Sequence, residues 1–412
     1  MAYKALEVNG LAFDLLRSED IRQGSLTGYG LLFVPGGWAS NKMKALGDAG
    51  IEEIRRFVRG GGSYVGFCGG AGLSTLDGIG LLPIKRRPTK ERVPSFSGPI
   101  LLNTSQHPIW EGIAGRRFHA WWPSQFVVDR DVSVLATYGK ALPESFSSDL
   151  NVGDTETHGD WAALERTYQI NLDPRRLLNE PAVVEGRFGS GKVLLSLVHF
   201  DTPDDLNGAM VLKNLWRYLL KAGAMRAEGT IGDSSARSAP SPGRHASEGD
   251  RTAFIAPLES AVADLIDLGQ RNFLWFWRNP LLLQWRRGVR GLEYCTLYSM
   301  VKELANLMAF QGRGVHAAGT FGKLERVRDF ADKAKQLLVR ERYAMQNAHI
   351  TYERCDDPEI QALREELFSR SKSHGGLFKE ILDDLDLLLY DVLICYRREG
   401  YDEINEDYLS GL

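Results

Sequence analysis

The heptapeptide Gly66-Phe67-Cys68-Gly69-Gly70-Ala71-Gly72 carries the most specific chemistry in this 412-residue chain. It has the G-x-C-x-G form. An apolar run, Tyr64 to Phe67, precedes it, and a tight turn into a helix, Gly69 to Leu76, follows. Glycines two before and two after a nucleophile let the chain turn sharply from strand to helix and lift the side chain above the sheet edge. A thiol held there faces the N-terminus of the next helix, which lowers its pKa and favours the thiolate. The plain alternative is a structural cysteine buried in a glycine-rich turn.

A nucleophilic cysteine needs a base, and the base needs a group to orient it. Val193 to Asp201 reads VLLSLVHFD, so His199 falls where an apolar strand ends and Asp201 lies two residues on. In an open α/β sheet the working edge is at the carboxyl ends of the strands, where Cys68 also sits. Cys68 as nucleophile, His199 as general base and Asp201 as orienter therefore form a consistent set. Gly36 and Gly37 end another apolar run. Their backbone N–H groups, with that of Gly69, could hold an oxyanion. Taken alone, His199 would read as a strand-end histidine satisfied by backbone.

The elements that must position these groups are legible in outline. Phe13 to Leu16 reads as a short strand. Leu31 to Val34 is a continuous apolar run that suits a buried parallel strand. Ile51, Ile54, Phe57 and Val58 share one helix face, and Gly60-Gly61-Gly62 ends that helix. Ala182 to Val184 and Val193 to Leu195 flank Gly189-Ser190-Gly191 as a β-hairpin. Val211, Leu212, Leu215, Leu219 and Leu220 make a closing amphipathic helix. Strand–helix alternation of this kind predicts an α/β fold with a mostly parallel sheet.

Residues 226–252 are more than half Gly, Ser, Pro and Ala, with Ile231 the only large aliphatic. Such a stretch buries too little apolar surface to offset its ordering entropy and reads as a flexible linker. It divides the chain into residues 1–225 and 253–412. The second part shows five helical stripes: Leu258/Val262/Leu265/Ile266, Leu297/Val301/Leu304/Met308, Leu324/Val327/Ala331/Ala334/Leu338, Ile360/Leu363/Leu367 and Ile381/Leu385/Leu388/Val392/Cys395. Their three-and-four spacing predicts an all-α bundle.

Composition narrows the function classes. With 43% hydrophobic and 25% charged residues the chain is neither disordered nor fibrous. Its net charge of −3 argues against a general nucleic-acid binder. Residues 271–290, however, hold five Arg, three Trp and no acidic residue. They read as a packing segment whose Trp residues face the bundle and whose Arg residues face solvent or pair with the acidic C-terminal helix. A docking surface for an anionic partner is the less favoured reading. Cys68, Cys295, Cys355 and Cys395 are widely spaced, so no disulfide framework or zinc cage is visible, and a reduced, cytoplasmic setting is expected. Neither a signal peptide nor a membrane span is visible. His107, His119 and His158 lack ligand spacing, so no metal is expected.

The stretch from Phe33 to Gly72, FVPGGWASNKMKALGDAGIEEIRRFVRGGGSYVGFCGGAG, resembles the class I glutamine amidotransferase-like superfamily, which has a flavodoxin-like fold. More closely it is similar to the N-terminal domain of eukaryotic-type biotin-protein ligases. HPIWEGI from His107, Trp121-Trp122-Pro123 and EGRFGSGKVLLSLVHFD extend the resemblance over roughly residues 10–222. It implies that Cys68 attacks an amide, assisted by a His-x-Glu triplet that here reads His199-Phe200-Asp201. Asp is one methylene shorter than Glu. Only a short helix-like stretch precedes Phe13, so either the start is misassigned or a strand that ordinarily opens this fold is missing. The ATP-binding signature of biotin ligases is absent; the nearest stretch, Gln311 to His316, reads as a loop between helices. No cofactor is implied.

Two functions follow from these observations. The first is a Cys-dependent amidotransferase-like protein or amide hydrolase, acting on a small-molecule or other amide substrate. The second is a non-catalytic binding module whose helical part recruits a protein partner. Nucleic acid is not an expected partner of either.

Overall fold

The computed structural model describes residues 1–128, 131–224, 248–310, 325–347, 350–351, 355–370 and 374–410. The chain divides into two compact units, Met1–Asp233 and Ser234–Leu412.

The first unit is built on one nine-stranded sheet. It begins with two short helices, α1 (Ala2–Val8) and α2 (Ser18–Arg22). Strand β1 (Leu31–Val34) then runs into helix α3 (Ala39–Arg59), and α3 returns the chain to β2 (Ser63–Phe67). All five residues of β2 are buried, as an apolar run covered on both faces should be. Helix α3 ends at the predicted glycines: the Gly62 N–H donates to Phe57 O at 3.0 Å, and Gly61 takes a φ of +112°. The elbow helix α4 (Gly69–Leu73) follows β2 directly.

The remaining strands are β3 (Lys85–Arg86), β4 (Phe96–Thr104), β5 (Arg117–Trp121), β6 (Phe126–Val127), β7 (Ser133–Ala141), β8 (Phe146–Ser147), β9 (Leu150–Asn151), β10 (Pro181–Phe188) and β11 (Gly191–Ser196). Helices α5 (Val152–His158) and α6 (Trp161–Tyr168) lie between β9 and β10, and α7 (Leu206–Ala224) closes the unit. The sheet order is β1-β2-β11-β10-β7-β4-β8-β9, with β5 also paired to β4, while β3 and β6 form a separate ribbon.

The α/β class holds, but the sheet is mixed rather than mostly parallel. Only β1–β2 and β2–β11 are parallel; the other pairings in this sheet are antiparallel. Parallel neighbours need a long crossover, which α3 supplies between β1 and β2. The β10–β11 hairpin turns back at Gly189-Ser190, as expected from the sequence. Phe13 to Leu16 is not a strand, so β1 has one paired neighbour among the described residues.

In the second unit each predicted stripe falls on a helix: α8 (Glu248–Arg271), α9 (Gly291–Phe310), α10 (Arg326–Asn347), α11 (Pro358–Phe368) and α12 (Gly376–Ser410). Leu324 and the stretch Gln311 to His316 lie outside the described residues, as do 226–247 of the expected linker. The linker expectation ran too far, because residues 248–252 belong to α8.

The expectation of an all-α second part is corrected by the hairpin β12 (Trp275–Asn279) and β13 (Leu282–Trp285). Aromatic and branched residues on either side of Asn279-Pro280 favour a turn between strands over one continuous helix. Trp275 packs inward and its indole donates to Ile266 O at 2.9 Å, whereas Phe273 and Phe276 are exposed. Two arginines of this stretch have acidic partners on helices other than α12. Arg271 pairs with Asp264 on α8 and Arg290 with Glu293 on α9; it is Arg326 that meets Glu380 and Asp384. No helix among the described residues is long and apolar enough to cross a membrane.

Candidate functional site

The elbow forms because every glycine around Cys68 is sterically required. Cys68 itself takes φ +49° and ψ −104°, a conformation that L-residues rarely adopt. A Cβ on Gly66 would sit 2.6 Å from Gly70 O, one on Gly70 1.9 Å from Val34 O, and one on Gly69 1.6 Å from Gly37 O. The backbone after β1 therefore lies against the backbone after β2. Two further hydrogen bonds fasten the turn. The Cys68 N–H donates to Ser196 O at 2.8 Å, and the buried Tyr64 hydroxyl donates to Gly70 O at 2.8 Å.

The bond to Ser196 matters because β11 carries the candidate base. Strands β2 and β11 are parallel neighbours with Phe67 opposite Ser196, so the residues that follow each strand emerge side by side. Ser196 then turns the chain: its hydroxyl donates to Val198 O at 2.7 Å and accepts from the Val198 N–H at 3.1 Å. His199 and Asp201 are both buried, and His199 Nδ1 lies 2.9 Å from Asp201 Oδ1. Cys68 is partly exposed.

Gly36 sits where the cysteine and histidine meet. A Cβ there would be 3.5 Å from Cys68 Cβ, 3.1 Å from His199 Cε1 and 3.9 Å from His199 Nε2. With Nδ1 turned to Asp201, Nε2 is the nitrogen left for the cysteine side. Gly37 is exposed and takes φ +104°. Cys68, His199, Asp201, Gly36, Gly37 and Gly69 thus converge on one end of the parallel part of the sheet.

The electrostatics of the three side chains are mutually dependent. Burial pushes the Cys68 thiol up, but hydrogen bonding to and charge on His199, with the Gly69 N–H, outweigh it and leave the thiol below its ordinary value. Burial lowers His199, yet the Asp201 charge and hydrogen bond, and then Cys68, raise it to about 10. Burial likewise works against the Asp201 carboxylate, and the charge and hydrogen bond of His199 hold it below the usual range. These directions favour a thiolate–imidazolium pair backed by a carboxylate.

Several supporting residues were not singled out by type or spacing. The His199 N–H donates to His119 O at 2.9 Å, which ties the loop to β5. Thr202 donates its hydroxyl to His199 O at 2.8 Å and accepts from the Trp121 indole at 2.9 Å. His119 stacks on Trp121, and its Nδ1 lies 2.7 Å from Asp205, which caps α7 through the Gly208 N–H. The signal was present in the Trp121-Trp122-Pro123 stretch, but only tertiary pairing links it to residue 199. A cleft lined by Thr89, Lys90, Pro94, Glu165, Arg166 and Asn171 involves none of the residues around Cys68. Among the described residues no three His, Cys, Asp or Glu side chains cluster as metal ligands.

Residues 25–76 match the family model for the biotin-protein ligase N-terminal region. The match spans β1, α3, β2 and α4, and so takes in Gly36, Gly37, Cys68 and Gly69. Three solved structures are similar over about half of this chain. The first is described as a putative GMP synthase subunit from Thermoplasma acidophilum (11% identity, 55% of this chain and 90% of that chain, TM-score 0.36). The second is a cytoplasmic protein from Salmonella typhimurium (13% identity, 53% and 85%, TM-score 0.33). The third is described as a putative ThuA-like protein from Bacteroides uniformis (14% identity, 53% and 80%, TM-score 0.30). No curated protein matches the sequence.

Proposed function

We propose that the first unit is a Cys-dependent amidotransferase-like enzyme or amide hydrolase, with Cys68 as nucleophile, His199 as proton carrier and Asp201 as its orienting partner. The observation that carries this reading is the left-handed backbone at Cys68 facing a buried His–Asp pair. A strained residue persists only where its surroundings hold it in place, and such strain clusters at working sites.

The reaction follows from the groups in place. The Cys68 thiolate attacks the carbonyl carbon of an amide, forming a C–S bond and placing negative charge on the carbonyl oxygen. The N–H groups of Gly37 and Gly69 are the donors proposed for that oxygen. As the intermediate collapses, the C–N bond breaks, the imidazolium gives its proton to the leaving nitrogen, and a thioester remains. His199 then accepts a proton from water, which attacks the thioester and releases a carboxylate and the free thiolate.

The test is a screen of glutaminase and amide-hydrolase substrates with the wild type and Cys68→Ala. Turnover that disappears in the variant supports the reading. Equal turnover in both removes Cys68 from the chemistry.

A further inference from the structure

Beside the elbow lie two arginines that the chemistry above does not use. Arg86, on β3, lays its guanidinium over the elbow helix: a Cβ on Gly72 would lie 2.6 Å from Arg86 Nη1 and 2.7 Å from Cζ. Gly72 is one helical turn from Cys68, and its N–H donates to Cys68 O at 2.9 Å. Arg92 lies near Arg86 and donates Nε–H to Arg87 O. Both side chains are half-buried, and neither has a carboxylate partner among the described residues. Their neighbour Arg87 is different, because it makes two 2.8 Å bonds to Glu180.

Two half-buried like charges without a counterion are unfavourable. Burial first, and the charge of Arg86 second, hold Arg92 below the ordinary guanidinium range. Arginine stays protonated in proteins, so both the burial and the neighbouring charge are costs that a bound anion would offset.

The segment facing Arg86 also carries unmet polar groups. Arg86 pairs with Phe126 across the β3–β6 ribbon. Just before Phe126, Ser124 has a buried hydroxyl and Gln125 a buried Oε1 with no hydrogen-bond partner. That segment starts at Trp122, a non-glycine residue at φ +52°. It also leads back towards the cysteine: Tyr138 donates to Ser124 O at 3.0 Å, and burial, then the charge of Cys68, push Tyr138 well above its ordinary range. A path of contacts therefore runs from Cys68 through Gly72 and Arg86 to the 124–126 segment and Tyr138.

We propose that Arg86 and Arg92 form an anion-binding subsite one helical turn from Cys68, taking a carboxylate or phosphate carried by the molecule on which Cys68 acts. The link to a substrate rests on the reading of Cys68 as nucleophile; the anion site itself does not. Guanidinium pairs suit planar, bidentate recognition of such groups, with Ser124 as an additional donor.

The experiment is a calorimetric titration of the full chain with inorganic phosphate and, separately, glutarate, against chloride at matched ionic strength. Saturable binding is expected, weakened at least about ten-fold in Arg86→Gln and in Arg92→Gln and partly kept in Arg86→Lys. Tighter binding of phosphate identifies a phosphoryl group, and tighter binding of glutarate a carboxylate. No saturable binding of either anion, or the same affinity in all variants, overturns the proposal.

Should the variants fail to fold, the wild type decides through alkylation of Cys68. The rate with anionic iodoacetate relative to neutral iodoacetamide should exceed the ratio for glutathione, and bound phosphate or glutarate should slow iodoacetate selectively. A ratio equal to that of glutathione counts against the subsite. If Cys68 reacts with both reagents no faster than glutathione, the nucleophile reading fails while the titration still decides the anion site.

Discussion

Asp201 Oδ1 lies 2.9 Å from His199 Nδ1, although an aspartate stands one methylene nearer its backbone than the glutamate of the related triplet. The short carboxylate reaches because the chain bends between the two residues: Thr202 N–H and hydroxyl both return to His199 O, at 3.3 and 2.8 Å. If this pair orients the imidazole as proposed, Asp201→Asn should lower turnover by about four orders of magnitude, the size found for such a change in a Ser-His-Asp triad. Protein stability should change far less. Steady-state kinetics beside a thermal melt would separate the two, and an Asp201→Asn enzyme of near-normal rate would remove Asp201 from the mechanism.

The pH dependence of Cys68 follows from the same pair. In the wild type the thiol is held below its ordinary value and His199 is raised to about 10. Alkylation by iodoacetamide should therefore reach its plateau at a pH below the ordinary thiol range. In His199→Ala the opposing effect of burial is unmasked, so the titration should move up, towards and beyond about 9. A linked stability effect has the opposite dependence for the imidazole. Because its folded pKa lies above its unfolded value, its contribution is complete below about 6.5 and fades as pH rises through about 10. Superimposable rate–pH curves for wild type and His199→Ala would contradict the coupling.

Gly69 and Gly28 make a matched test of the elbow. A Cβ on Gly69 would meet Gly37 O at 1.6 Å, whereas one on Gly28 has nothing within 4 Å. Gly69→Ala must push apart the backbones after β1 and β2, at about 1–3 kcal/mol or more. It should also disturb Cys68 alkylation. Gly28→Ala should leave both stability and alkylation close to wild type. Equal urea midpoints for the two variants would show that the close approach of Gly37 and Gly69 is not real.

What could be read from sequence divides along the range of the interactions involved. The elbow is legible because its glycines are close in sequence, although only Gly66 is crowded locally, by Gly70 O, while Gly69 and Gly70 are crowded by Gly37 and Val34 of another strand's end. The five bundle helices are local, since one face repeats every three or four residues. Strand order is not local. The antiparallel pairing of β4 with β7 and of β7 with β10 depends on partners tens of residues apart, and nothing in the apolar runs specifies direction. The same holds for the His119–Asp205 pair and for Arg86 against Gly72, which join residues that no motif connects. The hairpin at 275–285 had a local signal in Asn279-Pro280, but its Leu-rich neighbours resemble the helices around it.

The helical unit carries a pH-dependent element of its own in the Glu341–Arg364 pair. Arg364 Nε and Nη2 both lie 2.8 Å from Glu341 Oε1, and the guanidinium also donates to Thr351 O at 2.7 Å and Gly288 O at 3.1 Å. Glu341 Oε2 is buried without a partner. Burial therefore outweighs the arginine and raises the carboxyl to about 7. The sign follows from the raised folded value: the protonated acid is favoured in the folded state, so the contribution is complete below about 4.5 and is lost as pH rises through about 7. Glu341→Gln should flatten the pH dependence of urea unfolding between about pH 5 and 8 while keeping an acceptor for Arg364. Arg364→Met leaves a buried carboxylate unpaired and should cost about 3–5 kcal/mol at about pH 8, with much of that recovered at about pH 5, where the acid is neutral. A loss that is the same at both pH values would show that Arg364 stabilises the unit by packing and its backbone bonds, independently of the charge on Glu341.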